Sequence, residues 1–285
     1  MSPDERWSRL LEILGDRGRI DVMTAAELLG VSAATVRRDM DELARQQLLT
    51  RTRGGAVLSE VAYDLPLRYK TARQAGEKQR IAKAAAALVP PGAVVGLNGG
   101  TTTSEVAREF ATRTDLAGHG NQTALTVVTN AINIANELAV RPYVKTVVTG
   151  GVARPQSYEL TGPLATMMLQ AISLDYAILG VNAVDPQFGA ATHDEGEASA
   201  NRAMAERAER VIVVADSTKL GKRAFAQVCD TGTIDALVTD ADAPEELVER
   251  FTARGVDVHW VSPPPPPGRP GWGGVPWTPP APQGR

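Results

Sequence analysis

The sequence predicts an α/β protein in which a small helical domain is followed by a larger domain with a mainly parallel sheet. Three observations support this prediction. Apolar residues recur at helical spacing near the N-terminus, as at Val36, Met40 and Leu43. From Glu77 onward, short β-rich runs alternate with helical segments, a pattern typical of a parallel sheet covered on both faces. The chain of 285 residues is long enough for one small and one larger domain.

The first predicted helix has an apolar face and two candidate ends. The face consists of Trp7, Leu10, Leu11 and Leu14. Gly15 and Gly18 can end this helix, because glycine tolerates the left-handed conformation of a C-cap.

A second, short helix is expected to start at Thr24. Glu27, three residues later, completes a capping box. Leu28 and Leu29 supply its predicted buried side. Gly30 then permits the sharp turn that a helix-turn-helix requires.

The third predicted helix follows Ser32, whose hydroxyl can accept hydrogen bonds from first-turn amides. Its apolar stripe consists of Val36, Met40 and Leu43. At about 100° per residue, the opposite face carries Ala34, Arg38, Asp41 and Arg45, with Arg37 on the flank. Two adjacent arginines in the first turns of such a helix suit base edges and phosphates in a major groove. Taken alone, the segment is equally consistent with a solvated amphipathic helix.

A basic β-hairpin is predicted after the third helix. Residues 48–53 alternate in polarity, Gly54-Gly55 gives a tight turn, and residues 56–58 return. Arg51 and Arg53 then share one face, and three helices with such a hairpin form a winged helix-turn-helix. The predicted DNA-binding residues are Ser32, Ala34, Thr35, Arg37, Arg38, Arg45, Arg51 and Arg53.

The charge distribution argues for local rather than general nucleic-acid binding. The net charge of −3 disfavours non-specific coating of nucleic acid. Residues 1–58 carry nine Arg and nine Asp or Glu, and five of those arginines lie between Arg37 and Arg53. Few phosphate contacts per subunit imply that useful affinity needs two or more copies on one operator.

Composition excludes several classes of protein. No apolar run approaches the roughly 20 residues of a membrane span, and no signal peptide is apparent. A single cysteine, Cys229, excludes an internal disulfide and a Cys-based zinc cluster. The three histidines are scattered without metal-ligand spacing. We therefore expect a cytoplasmic protein with no metal site.

The sequence predicts four consecutive regions: a DNA-binding domain (1–58), a linker (59–76), an α/β domain for effector binding and oligomerisation (77–261), and a Pro/Gly-rich disordered tail (262–285). The strands of the α/β domain are predicted at Val94–Leu97, Leu125–Thr129, Val144–Thr149, Tyr176–Leu179, Val211–Ala215, Ala236–Thr239 and Val256–Trp260. Its helices are predicted at Lys78–Val89, Thr102–Phe110, Ala131–Ala139, Leu164–Ile172, Ala198–Ala208 and Pro244–Ala253.

Polar motifs follow several predicted strands, where ligands bind in parallel sheets. Asn98-Gly99-Gly100-Thr101-Thr102-Thr103 follows the first strand and opens a helix, so its free amides and hydroxyls can donate to a phosphate. Three further strands end in Thr129-Asn130, Thr149-Gly150-Gly151 and Asp216-Ser217-Thr218-Lys219, the last adding a cation. Each motif alone is also consistent with an ordinary turn or cap. Together they favour one shared pocket.

Two carboxylates, Asp194 and Glu197, add to this set. As plain helix-start residues they would interact favourably with the helix dipole, which is a strong alternative. His193 is interpreted as a surface or capping residue. Arg154 is either a second anion contact or a loop arginine, and we favour the loop.

Residues 5–58 resemble the DNA-binding module of the DeoR family of bacterial transcriptional regulators. The matching segments are Glu5-Arg6, Gly30-Val31-Ser32, Thr35-Val36-Arg37-Arg38-Asp39 and Arg53-Gly54-Gly55-Ala56-Val57. Their order and spacing agree across this region. The resemblance implies that double-stranded operator DNA is a partner.

Residues 75–240 are similar to the effector domain of the same family, which is similar in fold to ribose-5-phosphate isomerase. The resemblance implies a phosphorylated sugar or related metabolite as effector. It implies that Gly100–Thr103 cradles the phosphate, that Lys219 is the counter-charge, and that Asp194 or Glu197 bonds sugar hydroxyls. The full predicted effector site is Asn98, Gly99, Gly100, Thr101, Thr102, Thr103, Asn130, Gly150, Gly151, Gly180, Asp194, Glu197 and Lys219.

The chain departs from the family pattern at two positions near this site. The family commonly has Asp where this chain has Asn98, and often has Lys where this chain has Asn201. Both differences alter the charge around the predicted pocket. They leave the identity of the sugar open.

We expect a transcriptional regulator, most simply a repressor of carbohydrate-metabolism genes that a phosphorylated sugar modulates. It would act as a homo-oligomer, dimer or tetramer, associate with the nucleoid when bound to DNA, and need no catalytic residue and no cofactor. One alternative is a sugar-phosphate isomerase-like enzyme fused to a DNA-binding module. Another is a DNA-binding protein whose α/β domain only supports oligomerisation.

Overall fold

The computed structural model describes residues 2–46, 48–58, 75–117 and 123–262. The predicted tail, apart from Ser262, and residues 59–74 of the predicted linker lie outside the described residues. The first helix of the larger domain begins at Ala75, two residues before the predicted domain start. Within the described chain, none of the helices combines the length and the apolar content that crossing a bilayer requires.

The N-terminal domain is a winged helix-turn-helix, as predicted. Its elements are α1 (Pro3–Arg17), β1 (Arg19–Asp21), α2 (Val22–Leu29), α3 (Ala33–Arg45), β2 (Leu49–Thr52) and β3 (Gly55–Leu58). The strands form an antiparallel sheet in the order β1-β3-β2. The three helices bury one core against this sheet, and its fully buried members include Leu10, Leu11, Leu14, Val36, Met40 and Leu43.

The prediction for α2 was wrong in two respects. Asp21, not Thr24, caps the helix: its Oδ1 accepts hydrogen bonds from the amides of Met23 (3.0 Å) and Thr24 (2.9 Å). The Thr24 amide and hydroxyl hold the pKa of Asp21 below its usual value. Leu28 is 48% exposed, whereas Leu29 is buried. The buried stripe of this short helix is Val22, Ala25, Ala26 and Leu29, and position 28 lies off it.

The larger domain contains further helices and strands. The helices are α4 (Ala75–Ala87), α5 (Thr101–Thr112), α6 (Thr114–Ala117), α7 (Ile132–Leu138), α8 (Pro163–Gln170), α9 (Glu195–Glu206) and α10 (Glu245–Thr252). The strands are β4 (Val94–Leu97), β5 (Leu125–Thr129), β6 (Val144–Val148), β7 (Val152–Ala153), β8 (Leu160–Thr161), β9 (Leu174–Gly180), β10 (Ala183–Asp185), β11 (Gly189–Thr192), β12 (Ala208–Val214), β13 (Ala226–Cys229), β14 (Ala236–Asp240) and β15 (Asp257–Val261).

All seven predicted strands pair in one parallel sheet, in the order β15-β14-β12-β9-β4-β5-β6. The chain leaves β4 toward β5 and β6, then returns to β9 on the other side of β4. The order therefore reverses between β4 and β9. Sequence reasoning missed an antiparallel sheet (β10-β11-β13) and the hairpin β7-β8.

Helices cover both faces of the parallel sheet. Successive residues of β12 alternate between two buried clusters: Ile212 and Val214 belong to one, Val211 and Val213 to the other. The first cluster includes side chains from α4, α5 and α7. The second includes side chains from α8, α9 and α10. This confirms the predicted α/β architecture with a sheet covered on both sides.

Candidate functional site

The helix α3 presents two arginines to solvent on a rigid support. Ser32 caps it, with its Oγ accepting a hydrogen bond of 3.2 Å from the Thr35 amide. Val36, Met40 and Leu43 are fully buried, as predicted. On the other side, the exposed residues are Ala34, Arg37, Arg38, Asp41 and Arg45. The exposed face of α3 can therefore enter a major groove while its apolar stripe stays in the core.

A buried charge joins α3 to α1. The carboxylate of Asp39 accepts hydrogen bonds from Nη2 of Arg6 (2.9 Å) and Nε1 of Trp7 (2.8 Å), and Arg6 Nε is also in contact with it. Asp39 raises the pKa of Arg6. Asp39 was known from the sequence only as part of a motif. The structure shows that it positions the helix that carries Arg37 and Arg38.

The predicted wing arginines differ in their surroundings. Arg51 is half-buried, with its Nε 2.9 Å from Oδ1 of Asp41, and its Nη1 donates to the Gly55 carbonyl (2.9 Å). Arg53 is exposed near the turn. Arg51 thus supports the hairpin and attaches it to α3, whereas Arg53 presents its charge to solvent.

A pocket lies at the carboxyl ends of β4 and β9, where the strand order reverses. Open parallel sheets bind ligands at such points. The pocket has a cavity volume of about 70 Å³ and combines loops from distant parts of the chain. Its lining residues are Asn98, Gly99, Gly100, Thr101, Thr102, Gln156, Ser157, Glu159, Gly180, Val181, Asn182, Thr192, Glu197, Asn201 and Lys219.

The loop between β4 and α5 forms one wall. Gly100 is the N-cap of α5 and has φ of +137°, a conformation that favours glycine. A Cβ at Gly99 would lie 2.4 Å from Cγ of Glu159, so any larger residue there would displace the Glu159 side chain. Thr101 and Thr102 follow in the first turn of α5. Free amides and hydroxyls at such a helix start are suited to binding an anion.

Asn98 holds the ends of β4 and β9 together. Its Nδ2 donates to the Gly180 carbonyl (2.9 Å), and its Oδ1 accepts from the Gly180 amide (2.8 Å). A carboxylate at this position could accept from the amide but could not donate to the carbonyl. The asparagine therefore suits this pair of backbone groups.

Arg154 pairs with both predicted carboxylates. Its Nε lies 3.0 Å from Oδ2 of Asp194, and its Nη1 lies 3.0 Å from Oε1 of Glu197. Thr192 donates to the other oxygen of Glu197 (3.1 Å). Asp194 also caps α9 by accepting from the Glu197 amide (2.9 Å). The interpretation of Arg154 as an ordinary loop arginine was wrong, since it forms ion pairs with two carboxylates, Asp194 and Glu197, at the pocket.

Lys219 supplies positive charge to the pocket. It follows β12 in a short 3-10 turn, and its Nζ lies 3.9 Å from Oδ2 of buried Asp216. Among the lining residues that the structure describes, Lys219 is the one cation. It is therefore the candidate counter-charge for an anion in the pocket.

Five residues of the predicted effector site do not line the pocket: Thr103, Asn130, Gly150, Gly151 and Asp194. Each instead supports a neighbour. Thr103 donates to the Gly100 carbonyl (3.2 Å), and Asn130 donates to Oε2 of Glu159 (3.0 Å). Gly150 and Gly151 lead into the β7-β8 hairpin, and Asp194 caps α9.

Seven lining residues were missed by sequence reasoning: Gln156, Ser157, Glu159, Val181, Asn182, Thr192 and Asn201. Most lie in or beside the hairpin and the antiparallel sheet, which the sequence did not predict. Asn201 was noted only as a departure from a family pattern. Its place on the pocket side of α9, one turn after Glu197, was a usable signal.

Comparison with known proteins yields matches over nearly the whole chain. A DeoR-like helix-turn-helix domain profile matches residues 6–61, and a DeoR C terminal sensor domain profile matches residues 73–241. The HTH-type transcriptional regulator GlpR of Haloferax volcanii is 34% identical, covering 90% of this chain and 98% of that protein. The Glycerol-3-phosphate regulon repressor of Escherichia coli K12 is 31% identical, covering 88% and 96%. The HTH-type transcriptional repressor GlcR of Bacillus subtilis is 31% identical, covering 90% and 96%.

Among solved structures, ribose 5-phosphate isomerase A of Methanocaldococcus jannaschii aligns with 52% of this chain and 55% of that chain. The TM-score is 0.39 and the sequence identity is 18%. A similarity this low supports no conclusion about the activity of this chain.

Proposed function

The chain belongs to the DeoR family of transcriptional regulators, and from this premise we propose that it represses carbohydrate-metabolism genes under the control of a phosphorylated sugar or related metabolite. The observation that carries the proposal is the pocket at the reversal of strand order. There, the start of α5 and the cation Lys219 line one cavity with hydroxyl, amide and carboxylate groups. The start of α5 and Lys219 suit a phosphate, and the remaining polar groups suit sugar hydroxyls.

In the proposed mechanism, DNA is bound by α3 and by the β2-β3 hairpin, which is the wing of the domain. Arg38 points away from the buried stripe and is proposed to contact a base edge, while Arg37 and Arg53 contact phosphates. One domain offers few such contacts. We therefore propose a homo-oligomer, a dimer or tetramer, whose paired domains bind successive major grooves in the cytoplasm.

The effector is proposed to lower operator affinity by changing how domains or subunits are arranged. A coupling of about 1–3 kcal/mol would be sufficient for a useful switch. Such a sensor needs different ligand affinities in its two states and no catalytic group. Turnover of a pentose or hexose phosphate by the purified protein would instead favour the isomerase alternative.

The test measures operator binding with and without sugar phosphates. A fluorescent operator, selected by the full-length protein from promoter fragments, is titrated with protein while a panel of phosphorylated pentoses, hexoses and polyols is added. At least one compound should weaken binding by about tenfold. Lys219→Met should remove this response and leave binding without effector unchanged, because it removes the counter-charge.

Lys222→Met is the matched control, since Lys222 is exposed three residues away. It should retain the full response. If the Lys219 variant also retained it, the effector site would lie elsewhere. If no compound altered operator binding or thermal stability, the α/β domain would be an oligomerisation scaffold.

A further inference from the structure

The pocket contains two buried polar groups whose hydrogen-bonding capacity is unused. Oγ1 of Thr102 and Oδ1 of Asn201 have no hydrogen-bond partner within the part of the chain that the structure describes. Both side chains are 2% exposed, and both residues line the pocket. An unsatisfied buried polar group costs stability, and each such group calls for an explanation. A ligand in the pocket would supply the missing partners.

The two groups reach the pocket from opposite faces of the sheet. Thr102 lies in the first turn of α5, whose side chains Val106 and Phe110 pack in one buried cluster. Asn201 lies on α9, whose Met204 packs in the other cluster. The helices therefore contribute to two different walls. A ligand that satisfies both groups must span the pocket with two chemically distinct ends.

The wall formed by α5 suits a phosphate. Thr102 follows Thr101 and lies two residues after the N-cap Gly100. The threonine hydroxyls and the first-turn amides of α5 therefore lie at the same end of the helix. Lys219, in the same lining, supplies the positive charge.

The wall formed by α9 suits neutral hydroxyl groups. Glu197 and Asn201 are four residues apart and so share one side of the helix. Glu197 is already paired with Arg154 and accepts from Thr192. Glu159 brings a second carboxylate to the lining. In and beside the pocket, four carboxylates face two cations, so a second anionic group on the ligand would be repelled. The carboxylates are Glu159, Asp194, Glu197 and Asp216, and the cations are Arg154 and Lys219.

We propose, resting on the proposed function, that Asn201 determines specificity for the end of the effector remote from its phosphate, and that this end is uncharged and bears a hydroxyl group that Asn201 bonds. Thr102 bonds the phosphate. Asn201 bonds a hydroxyl of the ligand. Its oxygen has no described partner, so it can accept a hydrogen bond, and after rotation of the amide its nitrogen can donate one. A site built to bond a hydroxyl discriminates strongly against ligands that lack it.

The test separates the two ends with two near-isosteric variants of the full-length protein, Thr102→Val and Asn201→Leu. The probes are inorganic phosphate, glycerol 3-phosphate, ribose 5-phosphate and fructose 6-phosphate. Thermal stabilisation is measured for phosphate, and titration calorimetry is used for the esters. Thr102→Val should weaken binding of every probe. Asn201→Leu should leave stabilisation by phosphate unchanged and weaken the best sugar ester at least tenfold.

The controls test whether each variant folds and whether any substitution on α9 would have the same effect. Ser199→Ala alters an exposed residue on α9 and should bind all probes like the wild type. The melting temperature of each variant without ligand checks its folding. If Asn201→Leu does not fold, Asn201→Ser replaces it, since it keeps a polar group but shortens its reach, and the same loss is expected.

Charge provides an independent readout. Fructose 6-phosphate is compared with fructose 1,6-bisphosphate, and glucose 6-phosphate is compared with 6-phosphogluconate. In each pair, the ester whose other end is neutral should bind more tightly. Tighter binding of the doubly anionic member, or equal losses of phosphate and sugar ester in Asn201→Leu, would overturn the inference while the proposed function stands. Absence of binding by every probe to the wild type would overturn both.

Discussion

The DNA-binding surface and the pocket are built in opposite ways. Most of the candidate DNA contacts lie on one 13-residue helix, α3, whose buried and exposed sides follow from helical spacing. The pocket combines loops that extend from Asn98 to Lys219 along the chain. A surface on one helix can be located from local periodicity. A pocket at the reversal of a parallel sheet depends on which strands become neighbours.

Both regions nevertheless depend on a charged residue that joins separate elements. Asp39 connects α3 to α1 through Arg6 and Trp7. Arg154 connects the loop of the β7-β8 hairpin to α9 through Asp194 and Glu197. The contacts of Asp39 support the surface of α3, which must stay rigid to dock on DNA. The contacts of Arg154 border the pocket that we propose as the effector site.

The largest expected effect comes from Asp39→Ala. It leaves the largely buried Arg6 side chain without its carboxylate, so the DNA-binding domain should lose roughly 3–5 kcal/mol of unfolding free energy. Differential scanning calorimetry on the full-length protein would measure this loss. Asp41→Ala removes an exposed partner of Arg51 and should cost less than about 1 kcal/mol. Equal effects of the two variants would show that the Asp39 contacts add no special stability.

Removing Arg154 tests the corresponding contact in the other region. Arg154→Ala leaves Asp194 and Glu197 without their shared cation, so binding of a sugar phosphate should weaken by roughly 1.5–3 kcal/mol. Titration calorimetry with the best compound of the panel measures the change. Arg141→Ala, which removes a partly exposed pair with Glu137 away from the pocket, is the control and should bind normally. Unchanged affinity in Arg154→Ala would mean that the carboxylates need no counter-charge.

The exposed face of α3 is tested by Arg38→Ala. If Arg38 contacts a base, affinity for the selected operator should fall by roughly 1–3 kcal/mol, with little change on random DNA. Fluorescence anisotropy at fixed salt concentration measures both. Arg254→Ala, an exposed arginine of the larger domain, provides the control. An equal loss on operator and random DNA would show a phosphate contact only.

The smallest expected effect distinguishes neighbouring leucines of α2. Leu28→Ser should change the unfolding free energy by less than about 0.5 kcal/mol, because its side chain is half exposed. Leu29→Ala should cost roughly 2–5 kcal/mol, because Leu29 is buried in the core. Chemical denaturation measures both. A large loss of unfolding free energy in Leu28→Ser would instead support the sequence prediction that Leu28 is buried.

Prediction from the sequence succeeded where the pattern was local. Helical spacing located the stripe of α3, and short β-rich runs located all seven strands of the parallel sheet. It failed for the β7-β8 hairpin and the antiparallel sheet, whose strands are mostly short and have no distinctive pattern. Among the site residues, Gly100, Thr101 and Thr102 belong to a motif with its own chemistry. Glu159 does not, so its contribution was visible only in the fold.

By itself, the sequence determined the two-domain architecture, the exposed arginines of α3 and the polar loop before α5. These depend on period, capping and glycine placement, which act within about four residues. Only the tertiary structure decided that Arg154 pairs with Asp194 and Glu197, and that Thr102 and Asn201 reach one pocket from opposite faces. Those outcomes depend on which distant segments become neighbours. The order of strands in the sheet sets this, and no local pattern encodes it.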